Sequence, residues 1–152
     1  MMDEQRIKIY LDNCCYNRPF DAQNQDLIRL ETEAKLMIQN RIKQGLYSLV
    51  WSFILDCENG DNPVAAHYEA IKSWQSIATE YCSASDDILL RAKKLMPLGL
   101  KHKDALHLAS AMKHQCDYLI TTDRRFSNKN GQFAEIEIVN PITFILKMEA
   151  TQ

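Results

Sequence analysis

Apolar residues alternate with polar ones in some stretches of the chain and recur every three or four positions in others. Alternation is typical of β-strands, and the longer spacing is typical of amphipathic helices. Strands are predicted at 7–11, 46–51, 118–122 and 135–139. Helices are predicted at 25–44, 53–59, 63–81 and 85–98, from about 103 onward, and from 141 onward. Strands separated by helices predict an α/β fold with a central, mainly parallel sheet.

Capping and turn residues support these boundaries. Ser52 is a suitable N-cap for the helix at 53–59, and Gly45 is a natural stop for the helix before it. The segment 13–23, which contains Pro19, is predicted to be a loop. A regular apolar stripe along 63–81 is interpreted as a core-facing helix surface. Its members are Val64, Tyr68, Ile71, Trp74, Ile77 and Tyr81.

Four acidic residues lie where such a fold would bring them together. Asp12 and Asp123 each follow a predicted strand, Glu58 lies on the short helix after the second strand, and Asp104 lies in a first helical turn. Ligands of open α/β sheets bind beyond the carboxyl ends of the strands. Each acid also has an ordinary explanation, as a turn former, a helix-start charge or a solvated surface group.

As a group, the four carboxylates indicate a metal site. Gathered at one sheet edge, they would repel one another and raise one another's pKa unless a cation neutralised them. Mg²⁺ and Mn²⁺ prefer oxygen ligands, and either ion can activate water and offset the charge on a phosphate. This arrangement suits phosphodiester hydrolysis.

Composition fits one soluble domain over residues 1–152. Hydrophobic residues make up 46% and charged residues 25%, and no apolar run is long enough to cross a membrane. The acidic start of the chain is unlike a signal peptide, and the five cysteines lack the spacing of a zinc site. A cytoplasmic protein with reduced thiols is therefore expected. The net charge of −2 argues against nucleic-acid binding driven mainly by bulk positive charge.

Other chemistries find less support. No glycine-rich phosphate loop is present, and Arg18 follows Cys14 by four residues, whereas a cysteine phosphatase needs an arginine at six. His107 follows Asp104 by three and shares its helix face, so the pair could bind zinc. A histidine that forms hydrogen bonds near the site, or packs between helix and sheet, is the preferred interpretation.

At these positions the chain resembles the PIN-domain family, which includes the VapC-type toxin ribonucleases. The matching stretches are Ile9 to Asn13, Ser52 to Glu58, Lys103 to Ala109 and Leu119 to Phe126. The resemblance implies a three-layer sandwich and a metal-dependent endoribonuclease that cuts single-stranded RNA, leaving a 5′-phosphate. It also implies a role as a toxin with an antitoxin protein as partner, and a homodimer.

The resemblance also implies roles for individual residues. Asp12 and Asp104 would hold the principal Mg²⁺ or Mn²⁺ ion, Asp123 would complete the site, and Glu58 would orient water or help a second ion. Thr122 and Asn13 would support the site. Glu58 is preferred to Asp56 because of its place relative to Ser52 in the family pattern, and helix geometry allows only one of the two to face the site.

Some relatives carry another acid after the strand-end aspartate, where Arg124 and Arg125 stand here, so a second ion lacks support. These arginines, with Arg18 and Lys103, could hold RNA phosphates or could lie in a solvated loop. Two other functions stay open: a non-catalytic PIN-like interaction module, and a metal phosphoesterase acting on DNA or small nucleotides.

Overall fold

A computed structural model of the protein describes residues 6–17 and 25–151. Five parallel strands form one sheet in the order β3-β2-β1-β4-β5. The strands are β1 (Ile7–Leu11), β2 (Tyr47–Ser52), β3 (Glu80–Cys82), β4 (Tyr118–Ile120) and β5 (Glu137–Val139). The predicted α/β fold with a parallel sheet is confirmed.

Helices flank the sheet and connect its strands. They are α1 (Asn13–Asn17), α2 (Asp26–Lys43), α3 (Phe53–Gly60), α4 (Ala65–Lys72), α5 (Trp74–Ile77), α6 (Asp86–Leu95), α7 (His102–Lys113), α8 (Arg124–Ser127) and α9 (Pro141–Ala150), with a 3₁₀ turn at Met96–Leu98. In the described part of the chain, no helix is both long enough and apolar enough to cross a membrane.

Side chains of β1 point alternately to the two faces of the sheet, and each face packs against its own layer of helices. Tyr118, which pairs with Ile9, contacts Phe144 of α9, so that face of the sheet packs against α9. Tyr10 points to the opposite face, where its ring contacts His107 of α7. Helix α2 packs on α9, and α6 packs on α7. The result is a three-layer sandwich with the sheet in the middle.

The predicted helix at 63–81 is wrong in its last part. Helix α4 ends at Lys72, α5 spans Trp74–Ile77, and Glu80–Cys82 form the edge strand β3. The backbone of β2 provides the reason, because Thr79 N donates to Leu49 O at 2.9 Å and the strand pairing follows directly. The strand hydrogen bonds replace those of a continued helix.

The segment predicted as a loop at 13–23 begins with helix α1, and residues 18–24 lie outside the described part of the chain. The buried face of α2 also differs from a simple apolar stripe. Glu31 and Lys35 are buried, whereas Leu27 and Leu30 are exposed. Glu31 accepts from Asn140 Nδ2 at 2.8 Å, and Lys35 Nζ donates to the Cys14 carbonyl at 2.7 Å, so partners offset the burial of both polar groups.

Candidate active site

Strands β1 and β4 are parallel neighbours, so the residues that follow them meet at one edge of the sheet. Leu11 pairs with Ile120, and Asp12 N donates to Ile120 O at 3.0 Å. The Asp12 side chain is buried at this edge, with only 7% of the residue exposed. The topology therefore places Asp12 and the segment 121–123 side by side.

Three neighbouring groups hold the Asp12 carboxylate. Asn13 N donates to Oδ1 at 2.7 Å, the Thr121 hydroxyl donates to Oδ2 at 2.7 Å, and the Cys14 thiol lies 3.6 Å from Oδ2. Thr121 is fully buried. Thr121 was not among the predicted site residues, which included Thr122, although its position directly after β4 was the available signal. The backbone N–H of Thr122 donates to Cys14 Sγ at 3.3 Å.

Glu58 reaches the same place from α3. Its Oε1 lies 2.7 Å from His107 Nε2, and that nitrogen lies 3.5 Å from Asp12 Oδ1. Asp12, Glu58 and His107 each have one potential ligand atom within 4.8 Å of those of the other two. Asp12, Glu58 and His107 therefore form one cluster, and Glu58 belongs to it.

Asp56, the alternative acid on α3, is bound elsewhere. Trp51 Nε1 donates to its Oδ1 at 2.8 Å, and the Tyr81 hydroxyl donates to its Oδ2 at 2.6 Å. Both carboxylate oxygens of Asp56 thus face β2 and β3. Helix geometry separates the two acids of α3 into different environments.

Asp104 is half-buried in the first turn of α7, one turn before His107. Burial, together with the negative charges of Asp12 and Asp123, raises the pKa of Asp104 to about 6, and the positive charges of His107 and Lys101 partly oppose this increase. Asp104 is therefore coupled electrostatically to both acids at the strand ends. The three carboxylates share one electrostatic environment.

Asp123 is the N-cap of α8. Its Oδ1 accepts from Arg125 N at 2.9 Å and from Phe126 N at 3.4 Å, and its own N–H donates to the Thr121 hydroxyl at 3.1 Å. The cap satisfies helix donors that lack partners within the helix. Asp123 thus combines a capping contact with proximity to Asp104.

His107 is the second functional candidate whose role sequence reasoning underestimated. It is fully buried, and its Nδ1 lies 2.5 Å from the Tyr10 hydroxyl. Burial lowers the pKa of His107, but the hydrogen bond to Glu58 and the charge of Asp12 raise it above its usual value. Burial also raises the pKa of Tyr10 well above its usual value, so the phenol keeps its proton at neutral pH.

Three of the four predicted basic residues are direct sequence neighbours of acids of the site or lie one residue further along. Arg124 and Arg125 are exposed on α8, directly after Asp123, and Lys103 is exposed beside Asp104. Within residues 6–17 and 25–151, no ion pair engages any of these three side chains. Arg18 lies outside the described residues. The three described cations are therefore available to a bound anion.

Comparison with known families gives a match to the model described as PIN domain over residues 27–132. Because the match spans more than half of the chain, the protein belongs to the PIN domain family. The matched range includes Glu58, Asp104 and Asp123 and begins after Asp12, which the sheet topology places with them. The family expected from the motifs is confirmed.

Solved structures support the fold. VapBC2 from Rickettsia felis, solved bound to a DNA fragment from its promoter, is similar at a TM-score of 0.54 and 14% identity, over 88% of this chain and 98% of that one. A protein from Pyrobaculum aerophilum is similar at a TM-score of 0.56 and 17% identity, over 97% of this chain and 100% of that one. At these identities the likeness concerns the fold. Comparison with curated proteins gives no significant match.

Proposed function

We propose that this chain acts as a single metal-dependent endoribonuclease domain that hydrolyses phosphodiester bonds of single-stranded RNA. PIN domains are generally nucleases. The observation that carries the proposal is the convergence of Asp12, Glu58 and His107 at the carboxyl edge of β1 and β4, with Asp104 coupled electrostatically to Asp12 and Asp123. Unneutralised carboxylates held this closely are costly, and a divalent cation removes the cost.

The residues of the cluster fit Mg²⁺ or Mn²⁺. The donors are carboxylate oxygens, which both ions prefer. Among the described residues, the buried Oδ1 of Asn13, which follows Asp12 in sequence, has no hydrogen-bond donor. Asp12, Asp104 and Asp123 would hold the ion, with Glu58 at its side. When bound, the ion would lower the pKa of a water molecule and offset charge on the phosphate.

The protein's own groups then position the reactants. Thr121 and the Asn13 N–H fix the Asp12 carboxylate, so its orientation does not have to be established when substrate arrives. Glu58, held at one oxygen by His107, orients the attacking water with the other. Arg124, Arg125 and Lys103 bind phosphates along the RNA.

The likeness to VapBC2 also supports a partner. We propose that the chain is the toxin of a toxin–antitoxin pair, with an antitoxin protein covering the acidic edge, and that it forms a homodimer. Arg124 and Arg125 follow Asp123 and form no ion pair with any residue that the structure describes, so this cation-binding edge would accept either an RNA backbone or an acidic partner segment.

Cleavage of single-stranded RNA by purified protein with Mn²⁺ or Mg²⁺, and its loss in EDTA, tests the proposal. Asp12→Asn is expected to abolish cleavage while circular dichroism shows an intact fold. Asp56→Asn is the matched control, because Asp56 lies close in sequence to Glu58 but contacts Trp51 and Tyr81. It should cleave like the unchanged protein.

Two further substrates make the test specific. Single-stranded DNA and a small phosphodiester, assayed in parallel, should be poor substrates. Faster cleavage of either would replace the RNA assignment with a different phosphoesterase. RNA binding without cleavage in either metal would indicate a non-catalytic interaction module.

A further inference from the structure

A buried chain of hydrogen bonds leads from the start of α3 to the Glu58 carboxylate. Ser52 Oγ lies 2.6 Å from the Tyr10 hydroxyl, which lies 2.5 Å from His107 Nδ1. His107 Nε2 then lies 2.7 Å from Glu58 Oε1. Ser52, Tyr10 and His107 are all fully buried. The chain links β1, β2 and α7 and returns to α3, the helix that carries Glu58.

When the imidazole of His107 is neutral, the partners at the two ends of this series of hydrogen bonds determine which atom donates in each of them. Ser52 Oγ already accepts from Leu55 N at 3.4 Å, so its hydroxyl hydrogen can point to Tyr10. Tyr10 then donates to His107 Nδ1, and His107 Nε2–H donates to Glu58. Every group has a partner in this arrangement. A protonated imidazole would also donate from Nε2, so both states direct a hydrogen toward Glu58.

We propose that His107 is a positioning residue, not a metal ligand: its Nε2–H holds Oε1 of Glu58 in place, and Tyr10 and Ser52 hold the imidazole. The inference rests on the proposed function, because it assigns how Glu58 is kept ready to orient water. With Oε1 held by His107, Oε2 is the oxygen left for water or substrate.

For His107 to coordinate a cation through Nε2, the neutral imidazole would have to carry its hydrogen on Nδ1. With no cation between them, a lone pair on Nε2 would face Glu58 Oε1 at 2.7 Å and Asp12 Oδ1 at 3.5 Å, although 2.7 Å is the separation of a hydrogen bond, in which one of the two atoms carries a hydrogen. Nδ1 would then have to donate to the Tyr10 hydroxyl oxygen, and Tyr10 would donate to Ser52. The Ser52 hydroxyl hydrogen would lose the acceptor that the Tyr10 oxygen provides when the imidazole hydrogen is on Nε2. The hydrogen-bond chain therefore favours the donor role over the ligand role.

Nitrogen-15 NMR of the metal-free protein tests the tautomer directly. Spectra of histidine-labelled protein, with the His107 signal assigned by its loss in His107→Gln, are expected to show hydrogen on Nε2. A His107 ring with hydrogen only on Nδ1 would overturn the inference. This measurement needs neither metal nor RNA, so it decides the role of His107 even if the protein cleaves nothing.

A matched pair of variants tests the consequence for catalysis. His107→Gln keeps an amide donor near the position of Nε2, whereas His107→Asn keeps one near Nδ1 and loses contact with Glu58. The asparagine variant should lose about 10–100-fold in kcat, and the glutamine variant should recover most of that loss. KM for RNA should stay constant in both, because His107 is fully buried.

Bound Mn²⁺ supplies a spectroscopic readout besides activity. Electron spin-echo spectra should show no directly coordinated nitrogen in the unchanged protein, and a nitrogen coupling lost in His107→Gln would make His107 a ligand. His114→Gln is the control, since His114 lies at the far end of α7 and pairs with Glu80. Equal losses of kcat in the glutamine and asparagine variants would also refute positioning. Absence of RNA cleavage in the unchanged protein would instead count against the proposed function.

Discussion

Replacing Asp104 with asparagine should make the metal-free protein more stable while abolishing its cleavage activity. In the folded state, burial and the charges of Asp12 and Asp123 raise the pKa of Asp104 from 3.8 to about 6. The charged carboxylate therefore destabilises the folded protein relative to the unfolded chain at neutral pH. Asparagine keeps nearly the same shape and removes that charge.

The size of the effect follows from the pKa shift. Each unit of pKa corresponds to about 1.4 kcal/mol, so the full shift would amount to about 3 kcal/mol. Because Asp104 is only half-buried and solvent screens its neighbours, we expect about 1–2 kcal/mol. The loss of folding stability caused by the ionised Asp104 begins as pH rises above about 4 and is complete above about 6, because the folded state binds the Asp104 proton more tightly than the unfolded chain does. At pH 4 the variant should therefore gain little.

Urea unfolding in EDTA at pH 7 and at pH 4 measures this difference. Asp87→Asn is the control, and its effect on stability should have the opposite sign. A hydrogen bond from Lys113 lowers the pKa of this first-turn aspartate, so the charged form of Asp87 stabilises the fold. This variant should lose stability at pH 7. An Asp104→Asn protein that is less stable than the unchanged chain at pH 7 in EDTA would refute the account of repelling carboxylates.

Three further predictions concern the neighbours of the cluster. Thr121→Val removes the hydroxyl that holds Asp12 and should lower kcat about 10-fold or more in a steady-state RNA cleavage assay; an unchanged kcat would mean that Asp12 is held adequately without it. Asp123→Ser retains a capping group but not a carboxylate, so thermal unfolding should change little while cleavage is lost, and retained cleavage would limit Asp123 to capping. Replacing Arg124 and Arg125 together with alanine should weaken RNA binding and reduce its salt dependence in fluorescence anisotropy titrations; unaltered binding would identify both as solvated side chains.

The strands and the helix that carry the site residues could be predicted from the sequence because they depend on local signals. Alternation identified β1, the Ser52 cap identified the start of α3, and parallel strands place their carboxyl ends at one edge. The position of Asp12 beside the end of β4 follows from these facts. It did not require knowledge of side-chain packing.

Other features depend on contacts between distant residues, which spacing does not reveal. The strand β3 forms because its backbone pairs with β2, although its residues continue an apolar helical pattern. The role of His107 depends on Tyr10, 97 positions away, and on Glu58, 49 positions away. A histidine three residues after Asp104 therefore gave no sign of which nitrogen would face the acids.

Calorimetric titration of Mn²⁺ into the metal-free protein tests the shared cation site most directly. The unchanged chain should bind Mn²⁺ saturably, and its thermal stability should rise with metal concentration. Asp12→Asn and Asp104→Asn should each greatly weaken binding, whereas Asp56→Asn should not. Binding of equal strength in Asp12→Asn, or no saturable binding in the unchanged chain, would contradict a cation site built from these carboxylates.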